Sequence, residues 1–198
     1  KMRFELRVPF PLRQGDKDFT NEPLLDGKFE EARDFDRVCV VKATDPIQRI
    51  QEALNQAKDV VLAPGIFHLE QSIELRHPRQ VLLGLGLATL KAPIDGSPCI
   101  HVLPGVAGVR VAGLMLEATE RRGMKYRPNS TLLEWGNEGH EDPGSKDNPG
   151  AMFDVFLRVG GAAAGNRTDM GVDSMMKIHS GNVIGCNLWL WRADHSEI

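Results

Sequence analysis

Apolar and polar residues alternate with two different periods along the chain. Between Thr44 and Ala57 the apolar residues recur every three or four positions, which predicts a helix with one apolar face. Thr44 and Asp45 offer side-chain oxygens for an N-cap, and Pro46 suits the first turn, where its missing N–H costs nothing. The pattern therefore predicts a capped helix over residues 46–57.

After this helix the period changes. The rest of the chain contains only short apolar or alternating runs, and each run ends at glycine, proline or another turn residue. The clearest runs cover residues 60–63, 66–75, 81–90, 100–103 and 109–116. Because no helical pattern returns, we expect an all-β chain of many short strands.

Short strands of this kind fit a sandwich, a barrel or a parallel β-helix, and three features favour the β-helix. No two strands are joined by a compact Asn-Gly or Asp-Gly hairpin turn. The phrases GVAGVRVAGLMLEA and SGNVIGCNLWLWRA are alike, as expected if each circuit of a coil presents the same face. A helix directly before the first coil would cover the open end of the stack.

The domain organisation follows from the same pattern. Residues 1–43 hold two short strands around a charged stretch, and we expect a wrapping segment without a core of its own. Residues 44–198 are expected to form the β-helix. The sequence stops in the middle of a repeat at Ile198, so we expect a β-helix that is incomplete at its C-terminal end. Another chain or a missing C-terminal half would then complete it, because an uncovered coil edge favours aggregation.

Composition and charge exclude several classes of function. Hydrophobic residues make up 41% and charged residues 26%, which is typical of globular chains. The net charge of −3 gives no long-range attraction to nucleic acid or to an anionic membrane, and no apolar run reaches the ~20 residues of a membrane span. Cys39, Cys99 and Cys186 lack CxxC spacing, and the histidines form no HExxH pair, so we expect no zinc site.

The residues from Thr44 to Leu90 carry a family resemblance. The helix TDPIQRIQEALNQA precedes VVLAPGIFHLEQSIEL, in which Pro64-Gly65 separates two strands, and the glycine-punctuated VLLGLGLATLKAP follows. This order resembles the N-terminal module of the pectate-lyase-like right-handed parallel β-helix proteins. The segments MFDVFLRVGGAAAG and NVIGCNLWLWRADH look like later coils and are most similar to the exo-β-1,3-glucanase branch, the laminarinase-type glycoside hydrolases and their relatives.

The resemblance implies a secreted solenoid that acts on a polysaccharide or cell-wall glycan. A glucanase-like member would hydrolyse a glycosidic bond with two carboxylates, one of them acting as the acid. A non-catalytic extracellular or assembly-embedded module that binds glycan or protein is the first alternative. A Ca²⁺-dependent polysaccharide lyase is the second, although the near-neutral charge and the lack of a dense Asp cluster count against it.

The densest polar cluster follows two tryptophans near the end of the chain. If the strand continues, Trp189, Trp191 and His195 share one face, and Arg192 and Asp194 share the other. Indole rings stack on the apolar faces of sugars, and Arg, Asp and His bond hydroxyl groups, so the cluster predicts a saccharide subsite. The competing interpretation packs one indole into the core and pairs Arg192 with Asp194 in a turn.

Asp154 and Arg158 flank Phe156 in another strand. Their side chains could orient a substrate, although bracing a neighbouring coil is the favoured interpretation.

A long acidic loop provides the remaining candidate residues. Residues 134–150 carry five carboxylates against one Lys. Glu141 of this loop, Asp154 and Asp194 are the candidates for the catalytic carboxylates. The loop could also bind Ca²⁺, but it lacks EF-hand spacing, so a solvated loop without metal or other cofactor is the expectation.

Overall fold

The computed structural model describes residues 5–9, 29–119, 129–160 and 171–192. These ranges contain one α-helix, α1 Gln48–Asn55, a short 3-10 helix at Phe35–Arg37, and otherwise strands and turns. The strands are β1 Glu5–Pro9, β2 Phe29–Asp34, β3 Val38–Val41, β4 Asp59–Leu62, β5 Ile66–His68, β6 Ile73–Leu75, β7 Val81–Lys91, β8 Ile100–Val102, β9 Arg110–Glu117, β10 Thr131–Trp135, β11 Gly150–Val159, β12 Ser174–Ile178 and β13 Val183–Arg192. Within this described part, no helix is long and apolar enough to cross a membrane.

Parallel pairing organises the strands into two large sheets. One sheet has seven strands, in the order β13-β11-β9-β7-β4-β3 with β5 also beside β7, and the other has the order β12-β10-β8-β6. From β6 to β13 the chain alternates between the two sheets, so each circuit adds one strand to each of them. The prediction of a mostly β chain is confirmed, and the strands of both large sheets pair in parallel, as expected without hairpin turns. The antiparallel pair β1–β2 lies outside both sheets.

Left-handed residues bend the long strands of the seven-stranded sheet. Gly113, Asp154 and Asn187 all have positive φ, at 66°, 52° and 52°. They stand at one position of successive strands, because Ala112 pairs with Phe153 and Phe153 with Cys186 on one side of them. Each long strand is thereby divided into two short segments, and β4 pairs with the first segment of β7 while β5 pairs with the second.

The core lies between the two sheets and consists of inward-facing aliphatic rows. In the seven-stranded sheet, two in-register rows are at most 1% exposed, and they are Leu82, Val111, Met152 and Leu90, Leu116, Leu157. In the four-stranded sheet, the corresponding row is Ile73, Ile100 and Leu133. Full burial of each such side chain stabilises the fold by about 1.5–3 kcal/mol. The stacking of aliphatic side chains at equivalent positions of neighbouring strands thus builds a continuous core from short strands.

The start of the sheet involves residues that the sequence assigns to the wrapping segment. β3 already pairs in parallel with β4, so the seven-stranded sheet begins before Thr44. Asp59 is 1% exposed and accepts two hydrogen bonds from Arg33 Nη1, at 2.8 and 2.7 Å, and one from the Val81 N–H. This buried ion pair fixes β2 against the start of the seven-stranded sheet.

The helix is shorter than predicted, and its start is different. α1 begins after Ile47, which has no side-chain cap bond, so the prediction of a Thr44 or Asp45 N-cap was wrong. The Asp45 carboxylate instead accepts from the Lys42 N–H and pairs with Arg49. The helix ends where Ala57 takes a positive φ of 55°. The predicted apolar stripe is confirmed by the buried side chains of Ile50, Ala53 and Leu54.

Gly113→Ala tests the packing at the bend. A Cβ at Gly113 would lie 2.4 Å from the Gly84 carbonyl oxygen, in addition to the strain of a positive φ. We expect the free energy of unfolding to fall by about 2–4 kcal/mol, measured by urea denaturation. Gly105→Ala is the matched control, because Gly105 also has a positive φ but no atom lies within 4 Å of its Cβ position. Equal losses in the two variants would contradict close stacking at the bend.

Candidate functional site

Two tryptophans stand on the outward face of β13, the edge strand of the seven-stranded sheet. Trp189 and Trp191 share this face, whereas Leu190 aligns with the buried core residue Leu157. The two indole rings are stacked, with centroids 5.6 Å apart and planes 18° apart. They remain 57% and 41% exposed, so neither ring packs into the core.

Phe156 extends this aromatic surface onto the neighbouring strand. It pairs in register with Trp189, and the two rings meet edge to face with centroids 5.9 Å apart and planes 87° apart. Such contacts stabilise an aromatic pair by about 0.5–1.5 kcal/mol beyond burial alone. We call Phe156, Trp189 and Trp191 the aromatic cluster.

A buried carboxylate lies beside the aromatic cluster. Glu117 is 3% exposed, and its two oxygens bind Lys91 Nζ and Arg158 Nη2 on the strands to either side. Arg158 is also the in-register neighbour of Trp191. Glu117 therefore holds two cationic side chains in place on the same outward face as the indoles, and we call Lys91, Glu117 and Arg158 the ion-pair row.

Asp154 and Arg158, which the sequence groups together, have different partners. Asp154 occupies the left-handed bend of β11, where its carboxylate accepts a hydrogen bond from Asn187 Nδ2. Asp and Asn tolerate positive φ better than most residues, which explains their presence at this position. Arg158 binds Glu117 instead. The contacts of Arg158 agree with the favoured interpretation of a brace between coils.

The remaining residues of the predicted saccharide subsite are only partly described. Arg192 ends β13 opposite Val159 and is exposed. Asp194 and His195 lie outside the described residues. The structure thus brings Trp189, Trp191 and Arg158 together on one surface.

The acidic loop contains one carboxylate with a dense set of hydrogen bonds. Asp142 accepts from Ser180 Oγ at 2.5 Å and from the N–H groups of Gly105 and Gly144 at 3.0 Å each. Partial burial opposes its ionisation, but the hydrogen bonds from Ser180, Gly105 and Gly144 outweigh it and lower the pKa of Asp142. Asp142 therefore ties the loop to two neighbouring turns. Glu141 beside it is exposed.

The outward face of the four-stranded sheet carries a second polar row. Glu74, His101, Glu134 and Lys177 are in register across its four strands. His101 Nε2 lies 2.8 Å from Asn137 Oδ1, and His179 Nε2 lies 3.5 Å from Glu134 Oε1. Across the described ranges, no group of three or more His, Cys, Asp or Glu residues is arranged to hold a metal ion.

The three cysteines are free thiols. Cys99 is fully buried, its thiol contacts the Leu90 carbonyl oxygen at 3.5 Å, and burial raises its pKa far above the ordinary value. A thiol in that state is a poor nucleophile. Cys39 and Cys186 are half-buried.

Two residues of the site escaped the sequence interpretation, and both belong to the ion-pair row. Lys91 and Glu117 are each the last residue of a mostly apolar strand, where a charged residue is normally exposed to solvent. The sequence did contain one indication, because Lys91 and Glu117 each lie two positions after an outward-facing residue of the same strand. That signal becomes specific only when the register between strands is known.

Comparison with known proteins assigns the fold to a family. A family model described as the LAM55 pectate lyase-like domain matches residues 38–198. The chain belongs to this family. The LAM55 match begins at Val38, which is also the first residue of β3 and therefore of the seven-stranded sheet.

A curated protein and two solved structures are similar to this LAM55 domain. An exo-β-1,3-glucanase of Streptomyces sp. (strain SirexAA-E / ActE) is 35% identical over 167 residues, which are 84% of this chain and 25% of that protein. The structure of sacteLam55A from Streptomyces sp. SirexAA-E is similar, with 31% identity and a TM-score of 0.64. A variant of sacteLam55A in complex with glucose has 32% identity and a TM-score of 0.66.

The matches cover 84% of this chain and 28% of each solved chain. The LAM55 domain described here therefore spans about a quarter of the length of the relatives it matches.

Asp142→Asn tests the hydrogen-bonded carboxylate. A lowered pKa in the folded state means that ionised Asp142 stabilises the fold above the ordinary Asp pKa, and that this contribution is lost as the pH falls through the folded pKa. We expect the variant to be less stable near neutral pH and the difference to shrink in acid. Urea unfolding from pH 7 down to about pH 3 measures it. Asp147→Asn, in the same loop and exposed, is the control, and a pH-independent difference for Asp142→Asn would contradict the assignment.

Proposed function

We propose that this chain is a glycan-handling part of a secreted β-1,3-glucan hydrolase and that its coils form a right-handed parallel β-helix. The alternation of the chain between two parallel sheets supports a solenoid. Parallel crossover connections are right-handed in nearly all proteins, which favours that hand. The identity of 35% to an exo-β-1,3-glucanase supports a β-1,3-glucan as the partner.

One observation carries the binding part of this proposal. Trp189 and Trp191 present stacked, half-exposed rings on the outward face of a rigid sheet. Large exposed indoles cost hydrophobic free energy unless a partner covers them. The C–H faces of a glucose ring are apolar, and the hydroxyl groups around its edge are hydrogen-bonding groups. An indole surface with the Arg158 guanidinium beside it matches both parts of such a ring.

Hydrolysis of a glycosidic bond requires two carboxylates on either side of it, about 5–10 Å apart. Asp154 is bound by Asn187 at the bend, and Glu141 is exposed in the acidic loop. On the other sheet, Glu74 and Glu134 are in register two strands apart, so their backbones are separated by about 9.5 Å.

A non-catalytic glycan-binding module is the second candidate. It is favoured by the length of the match, since this chain corresponds to about a quarter of the glucanase. In that case the binding surface described above is unchanged, and the carboxylates that cleave the bond belong to the remainder of the enzyme.

Trp189→Ala and Trp191→Ala test the binding surface. Each change removes a stacking face, so we expect affinity for laminarin, a soluble β-1,3-glucan, to fall by about tenfold. Isothermal titration calorimetry measures the change, and circular dichroism confirms that the fold is retained. Ile94→Ala is the matched control, because Ile94 is 51% exposed in a turn between β7 and β8. Unchanged affinity in both tryptophan variants would contradict the proposed surface.

Sugar release separates the hydrolase from the binding module. Incubation of the chain with β-1,3-, β-1,4- and mixed-linkage glucans, followed by a reducing-sugar assay, should show release from the β-1,3-glucan. The same protein after irreversible heat denaturation serves as the negative control of the assay. No release from any of these glucans would contradict hydrolysis by this chain, and binding without release would support the second candidate.

A further inference from the structure

The aromatic cluster is one end of a longer pair of side-chain rows on the outward face of the seven-stranded sheet. The strand pairings align β5, β7, β9, β11 and β13 residue by residue in their second segments. The first row is Ile66, Thr89, Met115, Phe156 and Trp189. The second row is His68, Lys91, Glu117, Arg158 and Trp191. Five strands at the usual spacing make each row about 19 Å long.

The two rows differ in chemistry along their whole length. The first row is mostly apolar and is exposed at both ends, with Ile66 55% and Trp189 57% exposed. The second row is polar up to Trp191, and it offers an imidazole, an ammonium and a guanidinium in succession. An apolar first row beside a polar second row matches a sugar chain, whose ring faces are apolar and whose edges carry hydroxyl groups.

The cationic side chains of the second row are ordered before any ligand binds. Glu117 is buried and binds both Lys91 and Arg158, so neither cation needs to lose much conformational entropy on binding. Each cation keeps further donors, because Lys91 uses one of three ammonium protons on Glu117 and Arg158 uses one nitrogen. The Arg158 Nε is buried without a hydrogen-bond partner.

The shape of the sheet decides the direction in which a chain of sugars would lie. Along β11 the segment after the bend runs only from Val155 to Val159, so it presents two outward side chains, Phe156 and Arg158. Across the strands each row has five positions on this face, and all of them except the buried Glu117 are at least partly exposed. A ligand that follows the coil axis therefore finds more contacts than one that follows a strand.

We propose that the two rows form an extended subsite for a β-linked neutral oligosaccharide, which runs along the coil axis from the tryptophan pair toward His68. This inference rests on the proposed function and adds the direction and length of the bound chain. The second row carries two cations against one carboxylate, and this near balance of charge fits a neutral glycan better than a polyanionic one.

The test uses β-1,3-linked gluco-oligosaccharides from the disaccharide to the hexasaccharide, with calorimetric titration of the whole chain. Affinity should rise with length and then level off. His68→Ala should lower affinity for the hexasaccharide by about threefold to tenfold and leave the disaccharide unchanged. His77→Ala, in the turn between β6 and β7, is the matched control and should change neither.

The outcomes separate the inference from the proposed function. Tryptophan-dependent binding that is independent of length, with no effect of His68→Ala, would overturn the extended subsite and leave the proposed function standing. A gain with length that Arg192→Gln removes and His68→Ala does not would also overturn it, because the ligand would then follow β13. No binding of any oligosaccharide would contradict the proposed function itself, and the extended subsite with it.

Discussion

In-register parallel pairing of successive strands in the two sheets is the constraint on which the rest of the structure depends. It aligns equivalent positions of strands that are far apart in sequence, so one aliphatic row stacks on the next and the core becomes continuous. A slip of one residue would turn every inward side chain outward. The left-handed residues at Gly113, Asp154 and Asn187 stand at a common position for the same reason. The same register aligns outward-facing side chains and thereby creates the surfaces that can bind a ligand.

Much of this architecture can be predicted from the sequence, because it depends on local patterns. The apolar stripe of α1 and the short strands separated by glycine and proline are properties of neighbouring residues. Details that depend on contacts in the folded chain could not be predicted. Asp45 is a plausible N-cap by sequence, yet its carboxylate bonds the Lys42 N–H and Arg49, and the helix starts after Ile47.

The candidate site divides in the same way. The alternation Trp189-Leu190-Trp191 was enough to put the two indoles on one face. The partner of Arg158 was not predictable, because Glu117 is 41 residues away in sequence and Lys91 is a further 26 residues from Glu117. Asp142 is similar, since its partners Gly105 and Ser180 are 37 and 38 residues distant and meet it only in the folded chain. A carboxylate in a polar loop gives no sign of such partners.

The central claim is that a glucan covers the tryptophans on the outward face of the seven-stranded sheet. The chain has three tryptophans, and Trp135 is 2% exposed, so an aqueous quencher such as iodide reports mainly on Trp189 and Trp191. Fluorescence quenching by iodide, measured with and without saturating laminarin, therefore tests the claim directly. The account predicts that laminarin protects most of the quenchable emission. Quenching that is unchanged at saturating laminarin would contradict it.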